Sequence, residues 1–219
     1  MPATGAPRKR GRRPKTYDAV LQATSELLES VSLADLSVAQ ILDTASVGRT
    51  SFYEHFCSKE DVVVKLLRSV SGEVSAGIAP VFARGERSVE EAFREGLSNW
   101  IRISGRHRSL LVAVMEEWPA VPELRRIWFE LLGSITAELA ALIASDRAAG
   151  IAPAGADAEP LAASLVWGTE RAFHIAVTGR HPTLVDERAI VEPLVQLYVG
   201  TIYGQAVSVR RARRGDRGT

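Results

Sequence analysis

Between Ser37 and Lys59 the sequence reads SVAQILDTASVGRTSFYEHFCSK, two short amphipathic helical patterns that meet at the three-residue turn Ser46, Val47, Gly48. In the first pattern Val38, Ile41, Leu42 and Ala45 share one helical face. Ser37, followed three residues later by Gln40, has the form of a capping box and starts the helix there. In the second, opened by Gly48, Phe52 and Phe56 are four apart and face a core together, which turns Arg49, Thr50, Ser51, Tyr53 and His55 outward. A further box, Ser58 with Asp61, precedes the apolar run Val62 to Leu67 and predicts the next helix. Two helices so joined form a helix-turn-helix, and an outward face of hydrogen-bond donors suits a DNA groove.

The run Phe52 to Lys59, FYEHFCSK, resembles the DNA-binding signature of TetR-type transcriptional regulators, and the likeness covers roughly Thr16 to Lys65. In that family the turn usually reads Gly, apolar residue, Ser; here the small residues have exchanged places. A Gly at a helix N-cap costs only a few tenths of a kcal/mol against Ser, and Ser46 in a left-handed conformation costs about 1 kcal/mol. The resemblance implies that Ser37, Arg49, Thr50, Ser51 and Tyr53 reach base edges or phosphates while His55 and Lys59 hold the DNA backbone. It also implies a homodimer on a palindromic double-stranded operator, with recognition helices about one turn of DNA apart, roughly 34 Å.

The formal net charge of +1 conceals a segregation. Arg8, Lys9, Arg10, Arg12, Arg13 and Lys15 give residues 1–15 a charge of +6 with no acid, and residues 210–219 carry +4, which leaves −9 for the body between them. A basic arm directly before a helix-turn-helix, with Arg12 and Arg13 nearest to it, can neutralise phosphates and follow the minor groove. The 219 residues are 46% hydrophobic, enough for a sizeable core. A change of character after about Val70 predicts an arm at 1–15, a DNA-binding domain at 16–65, a larger helical ligand-binding and dimerisation domain at 66–209 and a basic tail at 210–219. The single cysteine, Cys57, excludes an internal disulfide framework and a CxxC zinc site, and reads as a free thiol. No stretch reads as a membrane span and no apolar run follows the basic start, so the expected place is the cytoplasm, with no membrane partner.

The remaining patterns are helical throughout, predicting an all-α chain of about nine helices. They run from about Thr16 to Val31, across the helix-turn-helix, from Lys59 towards Ile78 with a break at Pro80, and from Ser88 to Ser104. One more lies between Gly105 and Pro119, and three follow at about 122–149, 158–177 and 184–209. On the last two, Gly168, Ala172, Ala176, Gly200 and Gly204 are small residues spaced by four, which lets helices approach closely and predicts a four-helix dimer interface. Opposite that stripe lie Val166, Glu170, Phe173 and Val177, flanked by Trp167, Thr169 and His174. Trp100, Met115, Trp128, Phe129 and Tyr198 add aromatic and apolar walls of the composition that ligand pockets have.

Glu170 with Arg171, Thr201 to Gly204 (TIYG) and Leu33 to Asp35 resemble the EthR-type branch of the same family. That likeness implies a long apolar tunnel among the C-terminal helices, entered by a small drug-like or lipid-like molecule. Val166 and Thr169 fall where that branch places asparagines, and Tyr198 where it places a tryptophan, so the tunnel keeps its shape while its polar groups change. Enzyme readings have little to stand on: there is no GxSxG, Walker loop, GxGxxG or HExxH. Glu170 and His174, four apart, form the nearest catalytic pair, and no cofactor is expected. A third class, a sequence-independent binder using the basic ends alone, leaves the helix-turn-helix without a role.

Overall fold

The computed structural model describes residues 16–184 and 186–204. Among these are nine α-helices and no strand: α1 (Thr16–Leu27), α2 (Val38–Ala45), α3 (Arg49–Tyr53), α4 (Lys59–Phe82), α5 (Val89–Arg106), α6 (Arg108–Glu117), α7 (Pro122–Ala148), α8 (Ala158–Thr178) and α9 (Val191–Tyr203). The basic arm with Arg12 and Arg13, and the tail at 210–219, lie outside the described residues. The helices fall into two compact units, one running to Val74 and adding Ile103–Leu131, the other made of Ser75–Arg102 and the chain from Leu132 on.

Local chemistry sets several helix starts. At α2 the Gln40 amide donates to Ser37 Oγ (3.2 Å) while Gln40 Oε1 accepts from the Ser37 amide (2.8 Å), closing the box in both directions. Ser88 and Glu91 do the same before α5, and the two bonds from Ser88 hold the Glu91 carboxyl below the usual carboxylate range. Before α4 the box closes one residue early: the Asp61 amide donates to Ser58 Oγ, but the Asp61 carboxylate accepts from the Cys57 amide, at 3.0 Å. Gly179, at φ 62°, stops α8 in the left-handed conformation, where a side chain would be strained.

Three boundaries differ from the sequence expectation. α1 ends at Leu27, and turns at Glu29 to Val31 replace its last residues. α4 runs through Pro80 to Phe82, because the proline sits in the final turn, where it removes a single intrahelical bond, and the Ala83 amide still reaches the Ala79 carbonyl (2.9 Å). α9 starts at Val191, not Leu184, since an Asp186 carboxylate that accepts from the Arg188 amide (2.8 Å) folds the preceding segment into a turn.

In the first unit Val20, Leu36, Ile41, Phe52, Phe56, Val62 and Leu67 are fully buried, so the helix-turn-helix is pinned by its apolar faces. In the second, Phe93, Ile143, Phe173 and Ile202 form the centre. Gly96 is required there: a Cβ at this position would stand 2.5 Å from Val81 Cγ2, so α5 meets the end of α4 with no side chain between. Arg84, Asp146 and Tyr203 form a polar knot, with Arg84 Nη2 2.6 Å from Asp146 Oδ1 and the Tyr203 hydroxyl donating to Asp146 Oδ2 at 2.6 Å. The expectation that no stretch could span a membrane needs one correction. α7 is long and apolar enough by length and composition, and it is buried in part, through Leu124, Ile127, Trp128, Leu131, Leu132, Leu139 and Ile143.

Candidate DNA-reading surface and ligand-facing core

The turn of the helix-turn-helix bends at Ser46, the one non-glycine residue with positive φ among those described (φ 53°, ψ 46°). Its amide donates to the Asp43 carbonyl and that of Val47 to Leu42, so the left-handed residue terminates α2 where a glycine usually would. Gly48, extended at φ −73° and ψ 151°, is the N-cap of α3 and contributes no side-chain bond. The first amides of α3 therefore lack a side-chain acceptor from their own cap, as at helix N-termini that meet phosphates.

α3 is only five residues long. Phe52 is fully buried, while Arg49, Thr50 and Tyr53 are exposed and Ser51 is partly so. His55 lies just beyond the helix, exposed, its ring edge-on to Tyr17 at 6.1 Å. Tyr17 stacks on Phe56 at 5.1 Å and so fixes the start of α1 against the reading segment. Ser37 is exposed, but its hydroxyl is occupied by the capping box with Gln40.

Lys59 departs from its expected role. Its ammonium donates to three backbone carbonyls, of Leu33 (2.7 Å), Ala34 (2.9 Å) and Leu36 (2.7 Å), which uses all three of its protons. It ties the start of α4 to the segment before α2 and has no donor left for a phosphate. Lys65 is a second internal cation: it donates to the His55 carbonyl (2.6 Å), pairs with Asp61 (3.0 Å) and lies 4.7 Å from the centre of the Phe56 ring.

The expected ligand residues divide between the units. In the first, Met115 and Trp128 are buried, whereas Phe129 is half exposed, edge-on to Trp118 at 5.5 Å, and is no part of a buried wall. Among the buried polar atoms there, Trp128 Nε1 and Ser104 Oγ have no hydrogen-bond partner among the described residues. In the second unit α8 buries Val166, Thr169, Glu170, Phe173 and His174, while Trp167 is partly exposed. Trp100 packs on Phe173 at 5.1 Å, and Tyr198 on Phe93 at 5.3 Å. Thr169 and Tyr198 hydrogen-bond to each other through their hydroxyls at 3.0 Å, and burial pushes the Tyr198 phenol up to about 12. The Arg171 guanidinium donates to His174 Nδ1 at 2.8 Å, which places the lone pair of that ring on Nδ1.

The small-residue stripe is mixed. Gly168 is exposed, and neither it nor Gly200 has anything within 4 Å of an added Cβ, so neither is small because of packing inside the subunit. Ala172 is partly exposed. Ala176 is buried against its own chain, because a four-residue step advances about 40° around a helix and two steps carry the stripe inward. Gly204 also has an internal role, ending α9 at φ 66° with Pro153 Cγ 3.5 Å from the Cβ position.

Both parts match known proteins. Residues 20–66 match the bacterial regulatory proteins of the tetR family, and residues 93–204 match the C-terminal domain of the transcriptional regulator EthR. The HTH-type transcriptional regulator EthR of Mycolicibacterium smegmatis is 30% identical over 205 residues, covering 92% of this chain and 94% of its own. The chain is a TetR-family transcriptional regulator with an EthR-type C-terminal domain. EthR of Mycobacterium tuberculosis is likewise 30% identical, over 201 residues, with 90% and 93% of the two chains covered. Among solved structures, the fatty acid degradation regulator FadR from Bacillus halodurans shares the fold of this TetR-family chain with a TM-score of 0.70 at 22% identity, covering 89% of this chain and 100% of its own. The regulatory protein TetR from Rhodobacter sphaeroides does so at 0.64 and 21%, covering 84% and 98%. TetR-family regulators are not enzymes, so the Glu170–His174 pair has no reaction to serve. The sequence reading missed Tyr17, Lys65, Phe93 and Ser104; only Tyr17 and Lys65 carried a signal, one an aromatic opening α1, the other a lysine four residues after the capping Asp61.

Proposed function

We propose that this TetR-family regulator is a homodimeric repressor that leaves a palindromic double-stranded operator when a small, largely apolar molecule enters its C-terminal helices. The observation that carries the reading is the division of α3 into a fully buried Phe52 and an exposed set of Arg49, Thr50, Ser51 and Tyr53, on a segment fixed through Tyr17, Lys59 and Lys65. Exposed donors on a rigid support are what base-edge readout needs. In this reading residues 16–65 read DNA, 66–209 bind ligand and dimerise, Arg12 and Arg13 extend the contact to phosphates, and the protein works in the cytoplasm.

Gly168, Ala172 and Gly200 form the close-approach part of the dimer interface, supported by the empty space beside both glycines. Two recognition helices related by that two-fold then meet successive major grooves. α4 is one continuous helix from Lys59 to Phe82, so a ligand that binds better when α4 is displaced disturbs the spacing of the two reading heads.

The test is binding of the purified protein to a labelled duplex from the DNA beside its own gene, with excess unrelated duplex and varied salt. Retained preference supports the regulator, and release by apolar molecules supports the ligand response. Equal binding to all duplexes, lost with salt, would leave only the basic ends in action.

A further inference from the structure

Glu170 stands on the buried face of α8, 3% exposed, and both its carboxylate oxygens are shielded from solvent without a hydrogen-bond partner among the described residues. Its surroundings explain why. Val166, Phe173 and Val177 on the same helix are apolar and buried, and Trp100 of α5 covers Phe173. The Tyr198 hydroxyl of α9 is engaged with Thr169, the residue before Glu170, which also bonds back to the Leu165 carbonyl. Arg171 forms a long ion pair with it, Nη2 standing 3.7 Å from Glu170 Oε2, beyond hydrogen-bond reach; the Arg171 side chain is half exposed and its Nη1 donates to His174. A buried carboxyl with no hydrogen-bond donor is costly; the long pair with Arg171 offsets part of that cost, and a proton or a cationic donor from outside the chain would offset the rest.

We propose that Glu170 selects an amphiphilic amine, a protonated nitrogen on an apolar tail, as the molecule the C-terminal helices bind. This rests on the ligand-responsive reading and narrows it. The tail meets the apolar side chains that surround Glu170, and the ammonium supplies the donors that the protein withholds. The negative body between the basic ends favours a cation over an anion in the same place. Burial raises the Glu170 carboxyl above its ordinary range, with Arg171 opposing, so its ionised form is the one the apolar surroundings penalise. An incoming ammonium pairs with the carboxylate and offsets that penalty.

The probes are octylamine, 1-octanol and octanoate, each below its micelle concentration, titrated into the full-length protein and followed by calorimetry and tryptophan fluorescence. The wild type is expected to bind octylamine about tenfold more tightly than 1-octanol, with octanoate weakest. In Glu170→Gln the octylamine affinity should fall to that of 1-octanol, whose own affinity stays unchanged. Equal binding of amine and alcohol by the wild type overturns the amine assignment and leaves the ligand-responsive reading standing, a comparison that needs no variant. So does an amine preference that survives in Glu170→Gln. Failure of all three probes to bind a protein that still holds its operator overturns the assignment together with the ligand-responsive reading.

Discussion

Lys59 shows how much of a site's stability can rest on one side chain that touches no ligand. Its three bonds to the carbonyls of Leu33, Ala34 and Leu36 are charge-assisted, and replacing them with water recovers only part of their energy. Lys59→Met should therefore destabilise the DNA-reading part by about 2 kcal/mol, read from the urea midpoint, and weaken operator binding in proportion. A variant with wild-type stability but weak DNA binding would restore Lys59 to the phosphate backbone. Glu170 acts in the opposite sense. Its folded pKa is raised above the ordinary carboxylate value of 4.5 by burial, against Arg171, so the folded state keeps the proton at a pH where the unfolded chain has lost it. The resulting stability is fully present below about pH 4.5 and disappears as pH climbs through the folded pKa. Thermal melts of Glu170→Gln should gain on the wild type as pH rises from about 4 to about 8, and a difference that does not vary with pH would show that the Glu170 carboxyl titrates alike in the folded and unfolded chain.

At the level of helices, α3 is the shortest element, and four of its five residues carry donors outside the core, so its contribution to binding should be separable from folding. Tyr53, half exposed, leans edge-on against Phe52 at 5.2 Å but buries little itself. Tyr53→Ala should cost about tenfold in operator affinity with dimer and melting temperature intact, a result obtained by fluorescence anisotropy beside a melt. On α9, Gly200→Leu meets open space within its own subunit and should fold normally while shifting sedimentation at micromolar concentration towards the monomer. A dimer as tight as wild type would place the interface on other helices. Helix starts were legible where a short-range signal marks them, as Ser37, Ser58 and Ser88 do for α2, α4 and α5. Ends that depend on competing turns were not: Asp186 delays α9, and Pro80 breaks nothing because of where in α4 it falls. The exposed set on α3 and the buried face of α8 followed from helical period alone. The carbonyl targets of Lys59, the lack of a hydrogen-bond donor at Glu170 and the close approach at Gly96 did not, because each depends on what other parts of the chain bring, or fail to bring, to that place.

For the molecule as a whole, charge is concentrated at the two ends and the reading chemistry on one short helix, so affinity and specificity should come apart. Removing residues 1–15 takes away six positive charges. It should lower the slope of log K against log salt by up to about 5 while leaving the ratio of operator to unrelated duplex nearly unchanged. A ratio that falls with the slope would mean that Arg12 and Arg13 read sequence. The tie at Lys59 bears on how such a molecule changes over generations. Its partners are peptide oxygens, which every residue type supplies, so substitutions at Leu33, Ala34 and Leu36 leave its hydrogen bonds in place as long as the backbone keeps its path. The constraint is one-sided: the lysine must stay, and the three positions it holds are free to drift, which is a dependence that no correlated pair of substitutions would record.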